Sequence, residues 1–370
     1  SDLSFVPKPD VWEKVNAESD TCLRVKCKHF NECFVNKARR DAASADLLVV
    51  NHHLLFADLS VRSVTGSYSD MAILPGYRRV ILDEAHNIED SATSYLGLRV
   101  TRLGLLRLLG RVHHRQTAKQ EGGLISALRA KLMRLPPGDE RVDELILHIQ
   151  DEIIPRKVSL EHHVADAFDT MLEFVRQYKL SQRADGEMKA RVTAAFREDP
   201  RWVEECLPSV DNLLNELRTF NTRLVFILER LENAGERGQS EADFSDDRIE
   251  LGAVSGRIDS AVATIEDVLS GQGSERIRWI EAQTRSRYPA VRLFSVPLDV
   301  GPVLAEQVYA RFPTIALTSA TLTVEDKFDF VCSRIGLANA EDFWEIIPPS
   351  SRNILGVFAV FGFDHVVQRI

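Results

Sequence analysis

Residues 80–87 of this chain read Val-Ile-Leu-Asp-Glu-Ala-His-Asn, an apolar, β-branched run that ends in two adjacent carboxylates, Asp83 and Glu84, and a histidine, His86. Such a run reads as a buried parallel strand, and ligands in open α/β sheets bind at the carboxyl ends of the strands. Two carboxylates delivered there suit a nucleotide. One can hold Mg²⁺ through its waters, and the other can orient or deprotonate the water that attacks a γ-phosphate. A plainer reading is a strand end followed by an acidic helix start, with Glu89 and Asp90 in the first turn. It accounts for the acids but not for Ala85 and His86.

Two further groupings carry chemistry. The strand-like run Thr314 to Thr318 leads into Ser319, Ala320, Thr321 and Leu322. Small hydroxyl residues after a strand are ordinary turn chemistry by themselves. Cys22, Cys27 and Cys33 are spaced Cys-x4-Cys-x5-Cys, and the remaining cysteines, Cys206 and Cys332, are isolated. Thiolates this close suggest a soft-metal or cluster site. The spacing leaves three readings open: an iron-sulfur cluster lacking one thiolate, a zinc site completed by His29, or unligated thiols. Disulfides are disfavoured without a secretory signal.

The order of these motifs resembles the iron-sulfur helicases of the XPD/DinG type, and the bacterial DinG branch in particular. The cysteines come first, followed by Ala45 to Leu55 (Ala-Asp-Leu-Leu-Val-Val-Asn-His-His-Leu-Leu). The Asp-Glu-Ala-His box, a long helical insert and Ser-Ala-Thr-Leu come after them. The stretch Ile277 to Glu281, followed by Val291 to Tyr309, is similar to the family's return from the insert. The resemblance implies an α/β fold: a partial RecA-like parallel-sheet motor domain with an iron-sulfur cluster domain and a large all-helical Arch insertion. The implied boundaries are 1–45 for the cluster domain, 46–90 and 289–323 for the two parts of motor domain 1, 91–288 for the Arch, and 324–370 for the start of motor domain 2.

It also implies roles. Asp83 would help hold Mg²⁺, Glu84 would be the catalytic base or position the water, and His86 with Ser319, Ala320 and Thr321 would couple nucleotide state to DNA. Cys22, Cys27 and Cys33 would hold a 4Fe-4S cluster. ATP and Mg²⁺ are the other implied cofactors. The expected activity is 5′-to-3′ translocation on single-stranded and forked DNA in repair or replication-conflict resolution, in the cytoplasm, by a monomer. RNA–DNA hybrids and single-stranded DNA-binding protein are further candidate partners. No Gly-x-x-x-x-Gly-Lys-Ser/Thr occurs in these residues. That phosphate-cradling loop and a fourth cluster cysteine are expected upstream, so these residues alone are expected not to turn over ATP.

Composition is compatible with this. The chain has 370 residues, 44% hydrophobic and 27% charged, with a net charge of −9. It can bury a substantial core, and no apolar run approaches the ~20 residues of a membrane span. The acidic balance argues against a generally basic coat but permits a local track. Arg102, Arg107, Arg111, Arg115 and Lys119 recur mostly every fourth residue, along one face of a helix whose other face holds Leu105, Leu108, Leu109 and Val112. These cations read as a solvated face, as a strand-facing surface or, last, as a membrane contact. Asn51 and His52 could touch a DNA backbone or cap the helix after them.

Strands are expected at Leu47–Val50, Arg79–Leu82, Arg292–Val296 and Thr314–Thr318. The intervening stretch from about Ser91 to Arg287 has helical periodicity, for example in Val210, Leu213, Leu217, Phe220, Leu224, Ile227 and Leu231. Ser60–Tyr77 and Gly235–Asp247 read as loops. For Trp12, Phe30 and Trp279 core packing is the default, with base stacking a second option for Phe30. Two classes of function stay open: a DNA-stimulated ATPase, or a non-hydrolysing single-stranded DNA-binding scaffold with a zinc or metal-free cysteine site. A scaffold would have no need of Glu84.

Overall fold

A computed structural model describes residues 29–65, 68, 71–117, 120–135, 139–178, 187–235, 241–283, 290–319, 322, 324, 327–337, 343–346 and 356–361. In chain order the elements are α1 (Phe34–Ala43), α2 (His52–Thr65), β1 (Arg79–Leu82), α3 (Ile88–Leu96), β2 (Leu98–Thr101), α4 (Arg102–Val112), β3 (His114–Thr117), β4 (Gln120–Gly122), α5 (Leu124–Leu132), α6 (Glu140–His148), α7 (Ile154–Gln177), β5 (Glu187–Arg191), α8 (Ala194–Arg197), α9 (Leu207–Gly235), α10 (Glu241–Ser270), β6 (Arg276–Gln283), β7 (Ala290–Pro297), α11 (Gly301–Gln307), β8 (Thr314–Ser319), α12 (Asp329–Ile335), β9 (Phe343–Ile346) and β10 (Gly356–Phe361). The chain divides into two compact units: residues 1–30, 99–272 and 278–294, and residues 31–98, 273–277 and 295–370.

The second unit is built on a four-stranded sheet in the order β1-β8-β10-β9. β1 and β8 are parallel, and β10 runs antiparallel to β8 and β9. The parallel pairing expected from the two apolar runs is therefore present, within a sheet that is mixed as a whole. Burial alternates along both strands, so Val80, Leu82, Ile315 and Leu317 enter the core, where Leu55, Phe56 and Leu59 of α2 and Ile88 and Ala92 of α3 also lie. Ile81, on the other face of β1, is 68% exposed. Strands β9 and β10 and helix α12, all drawn from 324–370, belong to this same unit. Gly336 ends α12 with a positive φ, and a Cβ there would collide with the Gly301 carbonyl.

Two expectations fail here. Leu47–Val50 is not a strand, and Leu47 and Val49 stand exposed. A strand exists only through a partner's hydrogen bonds, and among the described residues none pairs with this segment. Ser60–Tyr77 is not a free loop. α2 continues to Thr65, and the segment beyond it is fastened by a buried ion pair. Arg62 and Asp58 meet at 2.6 Å with both side chains fully buried. Asp58 also accepts the N–H groups of Ile73 and Leu74 and the Tyr77 hydroxyl, while Arg62 donates to the Tyr68, Leu74 and Pro75 carbonyls. Burial and the Asp58 carboxylate push the Tyr77 hydroxyl's pKa upward.

The first unit is mainly helical, and the long helices follow the sequence periodicity. Val210, Leu213, Leu217, Phe220, Leu224, Ile227 and Leu231, the periodic set, are all buried on α9, and Leu251, Val254, Ile258 and Ile265 are buried on α10. π-helical turns at Ile149–Ile153 and Trp202–Cys206 lead into α7 and α9. The unit is not all-helical, however. A sheet in the order β2-β7-β6-β5 falls largely within it, and β3 and β4 form a hairpin. The expected Gly235–Asp247 loop is also shorter, because α10 already begins at Glu241. Cys206 is buried in this core, and burial pushes its thiol up to about 12, too high for a ready thiolate. Among the described residues no helix is long and apolar enough to cross a membrane.

Candidate nucleotide site at the end of the parallel strand pair

The register of β1 and β8 dictates the site. Leu82 lies opposite Leu317. One residue further on, the Thr318 hydroxyl donates to Asp83 Oδ1 at 2.5 Å. Two residues further on, the Ser319 hydroxyl approaches Glu84 Oε2 at 3.5 Å. His86 Nδ1 lies 2.8 Å from Ser319 Oγ and 3.3 Å from Glu84 Oε2. A serine hydroxyl has one proton. When Ser319 spends it on Glu84, the nitrogen of His86 must carry the hydrogen of the 2.8 Å contact. The two strands are thus joined at their carboxyl ends by a carboxylate–hydroxyl–imidazole network.

The local backbone explains the rest of the motif. Glu84 sits in the left-handed region (φ 51, ψ 47), the only non-glycine residue to do so among the described residues. That conformation costs an L-residue about 1–2 kcal/mol. It reverses the chain after β1, so that Ala85, 1% exposed, drops into the core and starts the turn that leads to α3. A larger side chain at 85 would have no room in that core. The strain leaves the Glu84 carboxylate 60% exposed. Glu84→Gly is expected to leave the protein as stable as before or more so, by up to about 1 kcal/mol, while removing the carboxylate. A clear drop in the denaturant midpoint would refute the strained conformation.

Asp83 is held as an anion. The Thr318 hydroxyl, then the Glu84 backbone N–H, lower its pKa, and His52 adds a smaller favourable charge. His52 thus acts on Asp83 from the start of α2, whereas the Asn51 side chain caps that helix by accepting the Leu54 N–H at 2.8 Å. Thr318 is a site residue that the sequence reading misses. A signal for it exists: it follows the strand core one position before Ser319, level with Asp83 in a parallel pair.

The other expected residues fare differently. Ala320, Thr321, Cys22, Cys27 and Lys119 lie outside the described residues. Cys33 is a free thiol at the N-cap of α1. The basic residues belong to the helical unit, but not to one helix face. α4 ends at Val112, so Arg115 falls on β3, where it approaches Glu121 at 3.6 Å. Arg102 pairs with Asp169 at 2.5 Å. Arg107 and Arg111 line a cavity beside α4.

Fit to the implied cofactors is uneven. Mg²⁺ keeps most of its waters and takes one or two carboxylates plus substrate phosphates. An ionised, exposed Asp83 beside Glu84 matches that habit. No group of three metal-binding side chains occurs among the described residues. Of Cys22, Cys27 and Cys33 only Cys33 is among the described residues, so the structure assigns no ligand set to a cluster.

No family model matches the chain. It is similar over most of its length to two bacterial proteins. With the "3'-5' exonuclease DinG" of Bacillus subtilis it shares 26% identity over 89% of this chain and 32% of that protein. With the "ATP-dependent DNA helicase YoaA" of Haemophilus influenzae it shares 23% over 88% of this chain and 40% of the relative. A shorter match, 36% identical over 29% of this chain and 16% of the relative, is to the Escherichia coli YoaA. The mixed α/β chain is therefore a homologue of the DinG and YoaA proteins. It spans between about a third and two-fifths of the length of these two relatives.

Proposed function

We propose that these residues form the hydrolytic and relay half of an ATP-dependent DNA motor of the DinG type, moving 5′ to 3′ on single-stranded or forked DNA. The Asp83–Thr318 and Glu84–Ser319–His86 contacts across β1 and β8 carry the reading. Asp83, fixed as an anion by Thr318, presents a carboxylate to the waters of a nucleotide-bound Mg²⁺. When bound, that ion supplies charge neutralisation on the phosphate oxygens. Glu84, exposed and held through Oε2, orients or deprotonates the attacking water. His86 and Ser319 sense whether Glu84 is engaged, because both compete for its Oε2. Thr321 and Ala320 extend this relay, and His52 contacts DNA near Asp83. Cys22, Cys27 and Cys33 are proposed as 4Fe-4S ligands. The monomeric state, the cytoplasmic location, RNA–DNA hybrids and single-stranded DNA-binding protein belong to the same reading. The 370 residues alone are expected to be inactive, since they contain no phosphate-cradling loop.

The test is DNA-stimulated ATP hydrolysis by the full-length protein as a function of pH. Asp83's pKa is depressed in the fold, so its anion persists down to a lower pH than an ordinary aspartate and is lost as pH falls through the depressed value. Thr318→Val removes the largest cause of that depression. The acid limb of the activity profile should then move to higher pH, with the alkaline limb unmoved. Hydrolysis absent at every pH with every DNA would overturn the motor reading. An unmoved acid limb would remove Asp83 from it.

A further inference from the structure

The sheet β2-β7-β6-β5 has two unlike faces. Successive residues of a strand point to opposite sides. One side, with Val100, Leu293, Ile280 and Ala190, is buried in the helical core. The other carries large side chains that this core does not use. Arg191 lies opposite Trp279 in the β5–β6 register, so the two share that side. Phe294 of β7 stacks on Trp279, with ring centres 4.8 Å apart and 10° between the planes. The Arg99 guanidinium of β2 lies over the Phe294 ring at 5.5 Å. One row of side chains thus crosses all four strands in the order arginine, phenylalanine, tryptophan, arginine. Three strand spacings make the row about 14 Å long.

The two rings are separated by the spacing of the strands themselves, so they stand upright on the sheet. Phe294 is sandwiched between Arg99 and Trp279. Trp279 has Phe294 on one face, and among the described residues no ring or cation stacks on the other. Further along the same side, Lys189 and Arg292 meet Glu281 at 3.4 and 2.7 Å. Arg99 and Arg191 are exposed and form no ion pair among the described residues. A protein partner would look for an apolar centre wider than two half-buried rings. Upright rings between exposed arginines instead suit a single nucleic-acid strand, whose bases stack on aromatic faces and whose phosphates take the cations. We propose that this row is a platform for a short run of a single strand, with a base on the second face of Trp279 and phosphates on Arg191 and Arg99. The proposal rests on the DNA-motor reading only for the source of the strand. The row is independent of β1 and β8.

The test separates stacking from charge. A fluorescent oligo(dT) and an abasic strand of the same length are titrated with the 370-residue chain, without ATP, over a range of salt. Trp279→Leu should weaken oligo(dT) by about tenfold, the scale of one stacked base, and leave the abasic strand at wild-type affinity. Arg191→Gln, at an exposed position where folding is not at stake, should weaken both strands. It should also reduce the slope of log affinity against log salt by about 0.7, the share of one phosphate contact. Wild-type affinity and slope in Arg191→Gln overturn the platform. So does an equal loss of both strands in Trp279→Leu, which would make the indole a support of the fold, and so does a wild-type chain that binds neither strand. Self-association of the wild-type chain that Trp279→Leu abolishes assigns the face to a second copy and overturns it equally. Strand binding as expected beside a full-length protein that hydrolyses no ATP would keep the platform and remove the motor. Hydrolysis with no effect of either variant on strand binding would do the reverse.

Discussion

In the full-length motor proposed above, Glu84→Gln is expected to reduce DNA-stimulated ATP hydrolysis by a factor of about 10²–10⁴, the range that a positioned base contributes, while ATP binding stays near wild type. The substitution keeps the side chain's length and its reach toward Ser319 and His86. It removes the negative charge and the lone pair that takes the water's proton. Glutamine meets the same left-handed backbone requirement as glutamate, so stability should hardly change, unlike in Glu84→Gly. A nucleotide should therefore still bind, and the enzyme should stall with it bound. Single-turnover phosphate release, measured beside equilibrium binding of a fluorescent nucleotide, separates the two effects. Hydrolysis at the wild-type rate would remove Glu84 from the chemistry. Loss of binding together with hydrolysis would make it a ligand-holding residue instead.

Asp58→Ala is expected to be the most destabilising single change outside the main cores, by about 3–5 kcal/mol. Removing the carboxylate leaves the Arg62 guanidinium fully buried without its counter-charge. It also orphans the Ile73 and Leu74 N–H groups and the Tyr77 hydroxyl at once. The loss should localise to the segment after α2, where Tyr77 stacks on Phe312 at 5.0 Å. Residues 68–77 should become a preferred site of limited proteolysis. Asp58→Ala combined with Arg62→Met should recover part of the loss by removing the uncompensated charge. The recovery is incomplete because the Tyr68, Leu74 and Pro75 carbonyls lose their donor. Denaturant midpoints of the two variants measure this. A cost below about 1 kcal/mol for Asp58→Ala would show that water replaces the carboxylate and that the pair is not sealed.

The difference between these sites shows what a sequence makes legible. Asp83, Glu84, His86 and Ser319 could be found because each sits at the end of an apolar strand, and strands announce themselves by local pattern. The helical periods of α9 and α10 were legible for the same reason, since one buried face repeats every three or four residues. Thr318 was overlooked because its partner is remote in sequence. A threonine in a strand is ordinary until the parallel register sets it beside Asp83. The buried Asp58–Arg62 pair was hidden differently. Charges four apart on a helix read as an exposed pair, and only the chain folding back over them takes them out of water.

Local pattern also misled where pairing or termination was the question. Leu47–Val50 has strand composition but no described strand beside it. Arg115 keeps the four-residue rhythm of Arg107 and Arg111, yet α4 stops at Val112 and the chain turns into a hairpin. The sequence alone determined the chemistry offered: two carboxylates, a histidine and a serine delivered at strand ends, and an excess of arginine around residues 99–115. Tertiary structure decided which of these groups meet. Hydrogen bonds and ion pairs depend on distances of a few ångströms between residues far apart in the chain, and those distances are set by strand register and helix packing, not by neighbours in sequence.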